Sequence, residues 1–462
     1  MSKNAGLNRR SFMKNAGFTA LAGATGSLAV GGPQASAQGG SPSQSYPRHA
    51  NGNYDFDTVY NRAGNNCARW DSPPRNYPGG EFKFGMGVAS MDFECAPCIT
   101  EALMERVQHH SWGYLASTAE LTSEIVKWNG EHHNNDIDAS MVTLSDGVYP
   151  GMIAAMRSFV PRGGKALIMS PAYSGFYTMA SAANIETVDS EMKLMNGRYE
   201  IDYDDLETKM ASDVRVLIVC NPQNPTGNVW REEELLRIGR LALEHGVVVL
   251  SDEIHSDVIR GDQKFTPFSA LPDRDVVNNS LTFNAISKTF NLAGMKNAYY
   301  YSKSPTMLQR VNQYHRAELS TLGVVANVAA YKYGRGWFDQ ANAYMDRTHT
   351  MIEDYVKANM PSVGYVRNEG TYMTFLDFSQ TMASIGADAQ YESHGKRTPE
   401  HYFQDWMVHN SGVYLNPGSV YGQGGAGRMR MNIASSQAVV KDVLDAMAAA
   451  VKRSEAATLS IK

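Results

Sequence analysis

The sequence predicts an α/β fold in which a mostly parallel sheet is covered by helices, joined to a smaller α+β domain. Four short apolar runs end in polar or turn residues: 166–169, 214–220, 247–250 and 281–286. Periodic stretches between them, such as 232–245, predict amphipathic helices. β-Branched runs that alternate with helices are typical of a parallel sheet buried on both faces. In such a sheet we expect the chemistry at the carboxyl ends of the strands.

The last third of the chain has a different pattern. A long helical stretch is predicted over 327–360, with a break near 334–336, and it leads into 370–377, which alternates like a half-buried strand. Further strand-like segments at 413–418 and 430–433 precede a final amphipathic helix. This mixture predicts the smaller α+β domain.

Length and charge limit the classes of protein to which the chain can belong. The chain has 462 residues, 43% of them hydrophobic, which suits two domains better than one. The net charge is −5 without a block of like charge, so neither nucleic acid nor an anionic membrane surface is expected as a partner. The predicted divisions are a signal peptide at 1–37, a flexible linker at 38–53, the N-terminal part of the small domain at 54–90, the large domain at 91–325 and the C-terminal part of the small domain at 326–455.

The N-terminus has the features of a targeting segment. Arg9 and Arg10 are followed by Phe and Lys, then by a Gly- and Ala-rich apolar run over 16–30 and an A-x-A cleavage site at 35–37. Paired arginines in this setting resemble a twin-arginine (Tat) signal, with a generic Sec signal or an uncleaved anchor as alternatives. The apolar run is too short to span a membrane. We therefore expect an exported protein, periplasmic or secreted, without stable membrane association after the signal is removed.

Cysteine is sparse, with four residues in the whole chain. Cys95 and Cys98 have C-x-x-C spacing, so a local disulfide is possible in an oxidising compartment; two small residues at the start of a helix are the favoured interpretation. A second C-x-x-C or a spaced histidine pair does not accompany them, and no metal site is expected.

Lys288 follows an apolar run that predicts a strand, among Ala, Ile, Ser and Phe. A poorly hydrated lysine loses much of its preference for the ammonium form, and its free amine attacks carbonyl groups to form Schiff bases. Pyridoxal phosphate (PLP) is the commonest reason for such a lysine. Asp252 can keep a pyridine nitrogen protonated, and Asn224 can donate to the ring oxygen.

A phosphate site is also predicted. Gly147 and Val148 precede the helical run 151–159, so their backbone N–H groups would face an anion at a helix N-terminus. Ser287 and Lys296, which flank Lys288, could contact phosphate oxygens too.

The motifs NPQNPTG, SDEIH and SKTFNLAG, in this order, resemble the aminotransferase class I/II superfamily of PLP enzymes of fold type I. The spacings of 28 residues from Asn224 to Asp252 and 36 from Asp252 to Lys288 are similar too. The segments 87–93 and 416–422 resemble its MalY/PatB branch of cystathionine β-lyase-like C–S lyases. The resemblance implies an aspartate aminotransferase-like fold with a seven-stranded sheet, PLP as cofactor and an L-amino acid as substrate.

The resemblance implies further roles. Tyr173 matches the aromatic residue that stacks on the cofactor ring, and His255 a residue near the ring oxygen. Tyr114 matches a tyrosine that reaches the phosphate in the partner subunit, which implies a homodimer. Arg430 matches the arginine that clamps the substrate carboxylate. Each has a structural alternative: core packing for both tyrosines, a satisfied core histidine and a structural ion pair.

Three residues depart from the branch pattern. Ser90 stands where the branch has aspartate, Asp146 precedes the phosphate-binding glycine, and Tyr149 replaces a smaller apolar residue. These departures bear on substrate choice more than on the cofactor.

Three functions stay open at this point. A cysteine-S-conjugate or cystathionine-type β-lyase is preferred, which would release pyruvate, ammonia and a thiol. The alternative is an aminotransferase acting between an L-amino acid and a 2-oxo acid. A non-catalytic binding module of the same fold is the third, and the intact Lys288 argues against it.

Overall fold

The computed structural model describes residues 52–461, with side chains up to residue 456. The predicted signal peptide at 1–37 and nearly all of the predicted linker therefore lie outside the described residues. Among the helices of the described range, none combines the length and the apolar character needed to cross a lipid bilayer.

Helices and strands alternate along most of the described chain. The strands are β1 (Phe84–Gly85), β2 (Val142–Ser145), β3 (Lys165–Ser170), β4 (Glu186–Glu191), β5 (Lys193–Met195), β6 (Arg198–Glu200), β7 (Val214–Cys220), β8 (Val248–Asp252), β9 (Ser280–Asn284), β10 (Ala298–Tyr301), β11 (Met373–Asp377), β12 (Val413–Tyr414), β13 (Asn416–Pro417) and β14 (Arg428–Asn432). The α-helices are α1 (Ala68–Asp71), α2 (Pro97–Gln108), α3 (Ala119–His133), α4 (Val148–Phe159), α5 (Gly175–Ala183), α6 (Tyr203–Met210), α7 (Glu232–Glu244), α8 (Arg274–Asn278), α9 (Pro305–Asn312), α10 (Thr321–Tyr333), α11 (Arg335–Asn359), α12 (Ser379–Ser384), α13 (Ala387–Gln390), α14 (Pro399–Ser411) and α15 (Gln437–Ile461).

A seven-stranded sheet forms the centre of the fold. Its strand order is β2-β10-β9-β8-β7-β3-β4, and β10 runs antiparallel to both of its neighbours while the other pairs are parallel. The prediction of a mostly parallel sheet in an α/β fold is confirmed. Because neighbouring parallel strands end at the same edge, β7, β8 and β9 bring their following loops together there.

Burial explains why the central strands lack an amphipathic pattern. Every residue of β9 is buried, and β7 and β8 each have a single partly exposed residue. Helices therefore cover both faces, with α4 among the elements on one side and α7 among those on the other, where each contributes to a separate apolar cluster. Sequence alone placed these three strands to within two residues.

A three-stranded antiparallel sheet, β11-β14-β13, lies in the C-terminal part of the chain. Strand β1 pairs in parallel with β12, so the chain near Gly85 lies beside the chain near Tyr414 although 329 positions separate them. The domain boundaries predicted above remain a prediction.

The predicted break in the long helix is present between α10 and α11. A Cβ atom on Gly334 would lie 2.5 Å from the carbonyl oxygen of Ala330 and 2.5 Å from the ring of Phe290. The close approach to a buried aromatic ring therefore requires glycine at this position.

Candidate active site

Three neighbouring strands deliver the polar residues of the candidate site. Asp252 is the last residue of β8, Asn224 lies four residues after β7, and Lys288 lies four residues after β9. The backbone N–H of Asn221 donates to the carbonyl of Asp252 at 2.9 Å, which joins the first two strand ends. The sheet order therefore brings these parts of the sequence to one edge, as the alternating pattern predicted.

The Lys288 side chain is half-buried beneath an N-terminal segment. Its Nζ donates a hydrogen bond to the backbone carbonyl of Ala89 at 3.1 Å. Burial and the positive charge of Arg430 lower the pKa of Lys288 to about 8, against the opposing attraction of Asp252. A substantial share of neutral amine is therefore present near neutral pH, which a Schiff-base lysine requires.

Asp252 is a buried carboxyl group. Burial raises its pKa to about 7, while the hydrogen bond from the backbone N–H of Ile254 (3.2 Å to Oδ1) and the charge of Lys288 act in the opposite direction. A buried carboxylate is stabilised by an adjacent cation. A protonated pyridine nitrogen is such a cation, so the group fits the role predicted from sequence.

Arg430 projects from β14 into the same site and is 4% exposed. Its Nη1 donates to Asn224 Oδ1 at 3.0 Å and its Nη2 to the carbonyl of Gly87 at 2.8 Å. Its Nε is buried without a hydrogen-bond partner among the described residues. An unpaired buried donor is costly, so this side chain suits a site that binds a carboxylate.

His255 is buried, and its Nδ1 likewise lacks a partner within the described range. Burial, with the charges of Lys288 and Arg430, lowers its pKa well below the usual value, so the ring is neutral. The ring meets that of Tyr372 edge-on, with 5.9 Å between centroids. The Tyr372 hydroxyl donates to the carbonyl of Ala89 at 3.3 Å, the same oxygen that Lys288 contacts.

Tyr173 and Tyr149 are partly exposed aromatic side chains near this site. Burial raises the pKa of Tyr173, with Arg430 lowering it and Asp252 and Tyr149 raising it further. Tyr173 is thus within electrostatic range of Arg430 and Asp252. Its ring also packs edge-on against Phe176 at 5.5 Å, so the packing alternative holds in part.

The predicted phosphate site has a helix N-terminus at its centre. Gly147 is the N-cap of α4 and Val148 is its first residue. Asp146 Oδ1 lies 3.9 Å from His315 Nε2, too far for a hydrogen bond, and burial lowers the pKa of His315. The carboxylate before the predicted phosphate site is therefore not neutralised by this histidine. Ser287 is partly buried, and Lys296 is exposed in a left-handed conformation with φ of 50°.

Tyr114 lies apart from this cluster and is fully exposed in the single chain, as is much of its neighbour Trp112. The chain thus brings together Lys288, Asp252, Asn224, Arg430 and His255, and it leaves Tyr114 on the surface.

Sequence reasoning missed the way the segment 87–90 covers the site. Besides the contacts of Gly87 and Ala89, the carbonyls of Val88 and Ser90 both accept from Asn432 Nδ2 at 2.6 Å. Ser90 Oγ accepts from Arg62 at 3.1 Å. The carbonyl contacts with Arg430 and Asn432 span more than 340 positions, and those of Ala89 with Lys288 and Tyr372 span 199 and 283. The sequence carries no periodic signal for pairings over such distances.

The four cysteines all have free thiols, so no disulfide joins Cys95 and Cys98 here. Helix α2 begins at Pro97, in agreement with the favoured interpretation. Burial and the neighbouring Cys95 raise the pKa of Cys98 to about 12, which disfavours a reactive thiolate.

The chain is similar to known proteins in both sequence and fold. The family model for aminotransferase class I and II matches residues 82–447. The cystathionine beta-lyase PatB of Bacillus subtilis is 34% identical over 403 residues, which cover 86% of this chain and 99% of PatB. The PLP-bound C-S lyase from Staphylococcus hominis has a TM-score of 0.78 at 29% identity, covering 86% of this chain and 99% of the other. Cystalysin from Treponema denticola, whose structure contains PLP, has a TM-score of 0.79 at 28% identity, covering 87% and 99%.

Proposed function

Because this chain belongs to the aminotransferase class I and II family, we propose that it is a PLP-dependent C–S β-lyase acting on an L-amino acid. The observation that carries the proposal is the convergence of three side chains: Asp252 at the end of β8, Lys288 in the loop after β9, and Arg430 on β14 of the small sheet. A half-buried amine with a pKa near 8, a buried carboxyl group and a buried guanidinium supply the three functions that PLP chemistry on an amino acid needs.

The residues present fit the cofactor. Lys288 would hold the aldehyde carbon, Asp252 the ring nitrogen, Asn224 the ring oxygen and the N-terminus of α4, with Gly147, the phosphate. When bound, PLP would delocalise the negative charge that develops at the substrate Cα.

Two side chains of the protein, Arg430 and Lys288, then act on the substrate. The guanidinium of Arg430 binds the substrate carboxylate and so orients the Cα–H bond. Lys288 Nζ accepts the Cα proton as general base. Breaking the Cβ–S bond releases a thiol, and hydrolysis of the remaining three-carbon fragment gives pyruvate and ammonia.

The alternative is an aminotransferase. In that reaction Lys288 would deliver the proton to bound PLP, which would keep the amino group, and no Cβ–S bond would break. The family name keeps this alternative open, while the likeness to PatB and to C–S lyases over nearly their whole length favours the lyase. The experiment that separates them supplies L-cystathionine and L-glutamate in turn. Catalytic pyruvate from cystathionine supports the lyase. Conversion of the cofactor to its pyridoxamine form by glutamate, without pyruvate from cystathionine, would overturn it.

We also infer a homodimer and export. The exposed side chains of Tyr114, Trp112, Met104 and Val107 support a subunit contact around α2 and the chain that follows it. The Arg9–Arg10 pair and the cleavage site at 35–37 support a Tat signal. Replacing both arginines by lysine is expected to hold the protein in the cytoplasm; normal export of that variant would refute the Tat assignment.

A further inference from the structure

A carboxylate that the proposed mechanism does not use lies beside the lysine. Asp257 follows β8, and its side chain is 5% exposed. Its Oδ1 accepts hydrogen bonds from Trp128 Nε1 at 3.0 Å and from His133 Nε2 at 2.8 Å. Its Oδ2 accepts one from Thr289 Oγ1 at 2.6 Å. Thr289 is the residue directly after Lys288.

The contacts keep Asp257 ionised. Burial alone would raise its pKa, but the hydrogen bonds from His133, Thr289 and Trp128 lower it below the usual value. An ionised carboxylate makes the stronger class of hydrogen bond, and the short distance from Thr289 agrees with this.

The Asp257–Thr289 contact joins two loops that carry the proposed chemistry. The loop after β8 begins at Asp252, and the loop after β9 contains Lys288. A neutral contact, Asn284 Nδ2 to Ser256 Oγ at 3.0 Å, joins the last residue of β9 to the loop after β8. The charged contact lies further out, where the chain is free of the sheet ladder.

The third element held by this carboxylate is α3, which supplies Trp128 and His133. The Trp128 ring also packs edge-on against Phe290, with 5.8 Å between centroids. The turn that carries the lysine is therefore held at Thr289 by a hydrogen bond to Asp257 and at Phe290 by an apolar contact to α3.

We propose that Asp257 is a positioning residue for Lys288, which through Thr289 fixes the backbone of the lysine relative to Asp252. The inference rests on the proposed function, because it concerns how the Lys288 amine is oriented toward the cofactor and the substrate. Displacement of a reacting group by about 1 Å costs on the order of a hundredfold in rate, so a bond of this kind has a measurable effect.

The test uses Thr289, because removing the Asp257 carboxylate would leave three donors without an acceptor. Thr289→Val keeps the shape and removes the hydroxyl, and Thr289→Ser keeps the hydroxyl. Thr348→Val is the matched control: Thr348 is a buried threonine of α11 whose hydroxyl donates to the carbonyl of Tyr344 at 2.9 Å. If the valine variant does not fold, Thr289→Ala is used in its place, because it also removes the hydroxyl.

Two readouts are compared on the full protein with PLP. One is the rate at which PLP becomes covalently attached to Lys288, trapped with borohydride and measured by mass. The other is steady-state turnover of a cysteine S-conjugate. We expect Thr289→Val to lower the attachment rate and kcat by about tenfold or more with little change in KM, Thr289→Ser to stay within about threefold of the native protein, and Thr348→Val to change stability alone.

If Thr289→Val loses thermal stability like Thr348→Val and keeps its attachment rate, the contact is structural and the proposal is wrong. If the attachment rates differ as expected while even the native protein fails to cleave a C–S bond, the positioning role stands and the proposed lyase function falls.

Discussion

Arg430 and Asn224 meet with 3.0 Å between a guanidinium nitrogen and the amide oxygen, although 206 positions separate them. The contact joins strand β14 of the small antiparallel sheet to the loop after β7 of the large one. A substrate carboxylate bound by Arg430 would therefore lie next to the residue assigned to the cofactor ring. Under the proposed function, this pair would couple substrate binding to cofactor orientation.

Replacing Arg430 by lysine is expected to raise KM for the amino acid about tenfold to hundredfold, because an ammonium group cannot make the paired hydrogen bonds of a guanidinium. Arg428→Lys serves as the control on the same strand, where Arg428 pairs with Asp377 at 3.2 Å. Steady-state kinetics of both variants decide the matter. An unchanged KM in Arg430→Lys would show that the carboxylate binds elsewhere.

Removal of the amine in Lys288→Ala is expected to abolish the borohydride-stable attachment of PLP and to lower kcat by about a thousandfold, since both the nucleophile and the general base are lost. Mass spectrometry after reduction measures the first effect and pyruvate release the second. Reduced cofactor found on Lys296 or another lysine of the native protein would contradict the assignment.

The pH dependence of stability tests Asp252. Its pKa is raised from the model-peptide value to about 7, so the cofactor-free folded state binds the extra proton and gains stability at low pH. This stabilisation is fully present below about pH 4 and is lost as the pH rises from there through 7. The total loss in the free energy of unfolding is up to about 4 kcal/mol. In Asp252→Asn this loss is absent.

The free energy of unfolding from urea titrations at pH 4 to 8 measures the difference between the native protein and Asp252→Asn in cofactor-free form. The variant is expected to gain relative stability as pH rises through this window. A difference independent of pH would mean that Asp252 titrates normally.

Mixing two inactive variants tests the contribution of Tyr114 across a dimer. Lys288→Ala and Tyr114→Ala chains are unfolded and refolded together in equal amounts. In the proposed dimer, random pairing makes half of all dimers heterodimers. Each heterodimer has one complete site if Tyr114 acts in the partner subunit. Recovery of about one quarter of native activity is expected. No recovery on mixing, with each variant folded and dimeric, would place the action of Tyr114 within its own subunit.

The parts of the fold that rest on local patterns were predictable. Strands β7, β8 and β9 and the break at Gly334 follow from apolar runs and from glycine, which act within a few residues. Strand β10, with three consecutive tyrosines at 299–301, lacks that signal. Its antiparallel place in the sheet depends on β9, which is close in sequence, and on β2, whose paired residues are more than 150 positions away.

The candidate site likewise contains residues that the sequence predicts and contacts that it does not. Lys288, Asp252 and Asn224 stand at strand ends, so the parallel sheet itself predicts their meeting. The Asp257 contacts were missed because His133 and Trp128 join it across more than 120 positions. Nothing in the local pattern shows which buried carboxylate His133 will face.

The segment 87–90 contacts Arg430, Lys288, Tyr372 and Asn432 through the oxygens of its peptide groups. Every amino acid carries that oxygen, so substitutions at 88 and 90 can alter the wall of the pocket without removing these anchors. The course of the main chain there is thus independent of which side chains stand at 88 and 90. Under the proposed lyase function, a library confined to positions 88 and 90 would sample new thiol leaving groups while the backbone contacts to Lys288 and Arg430 are retained.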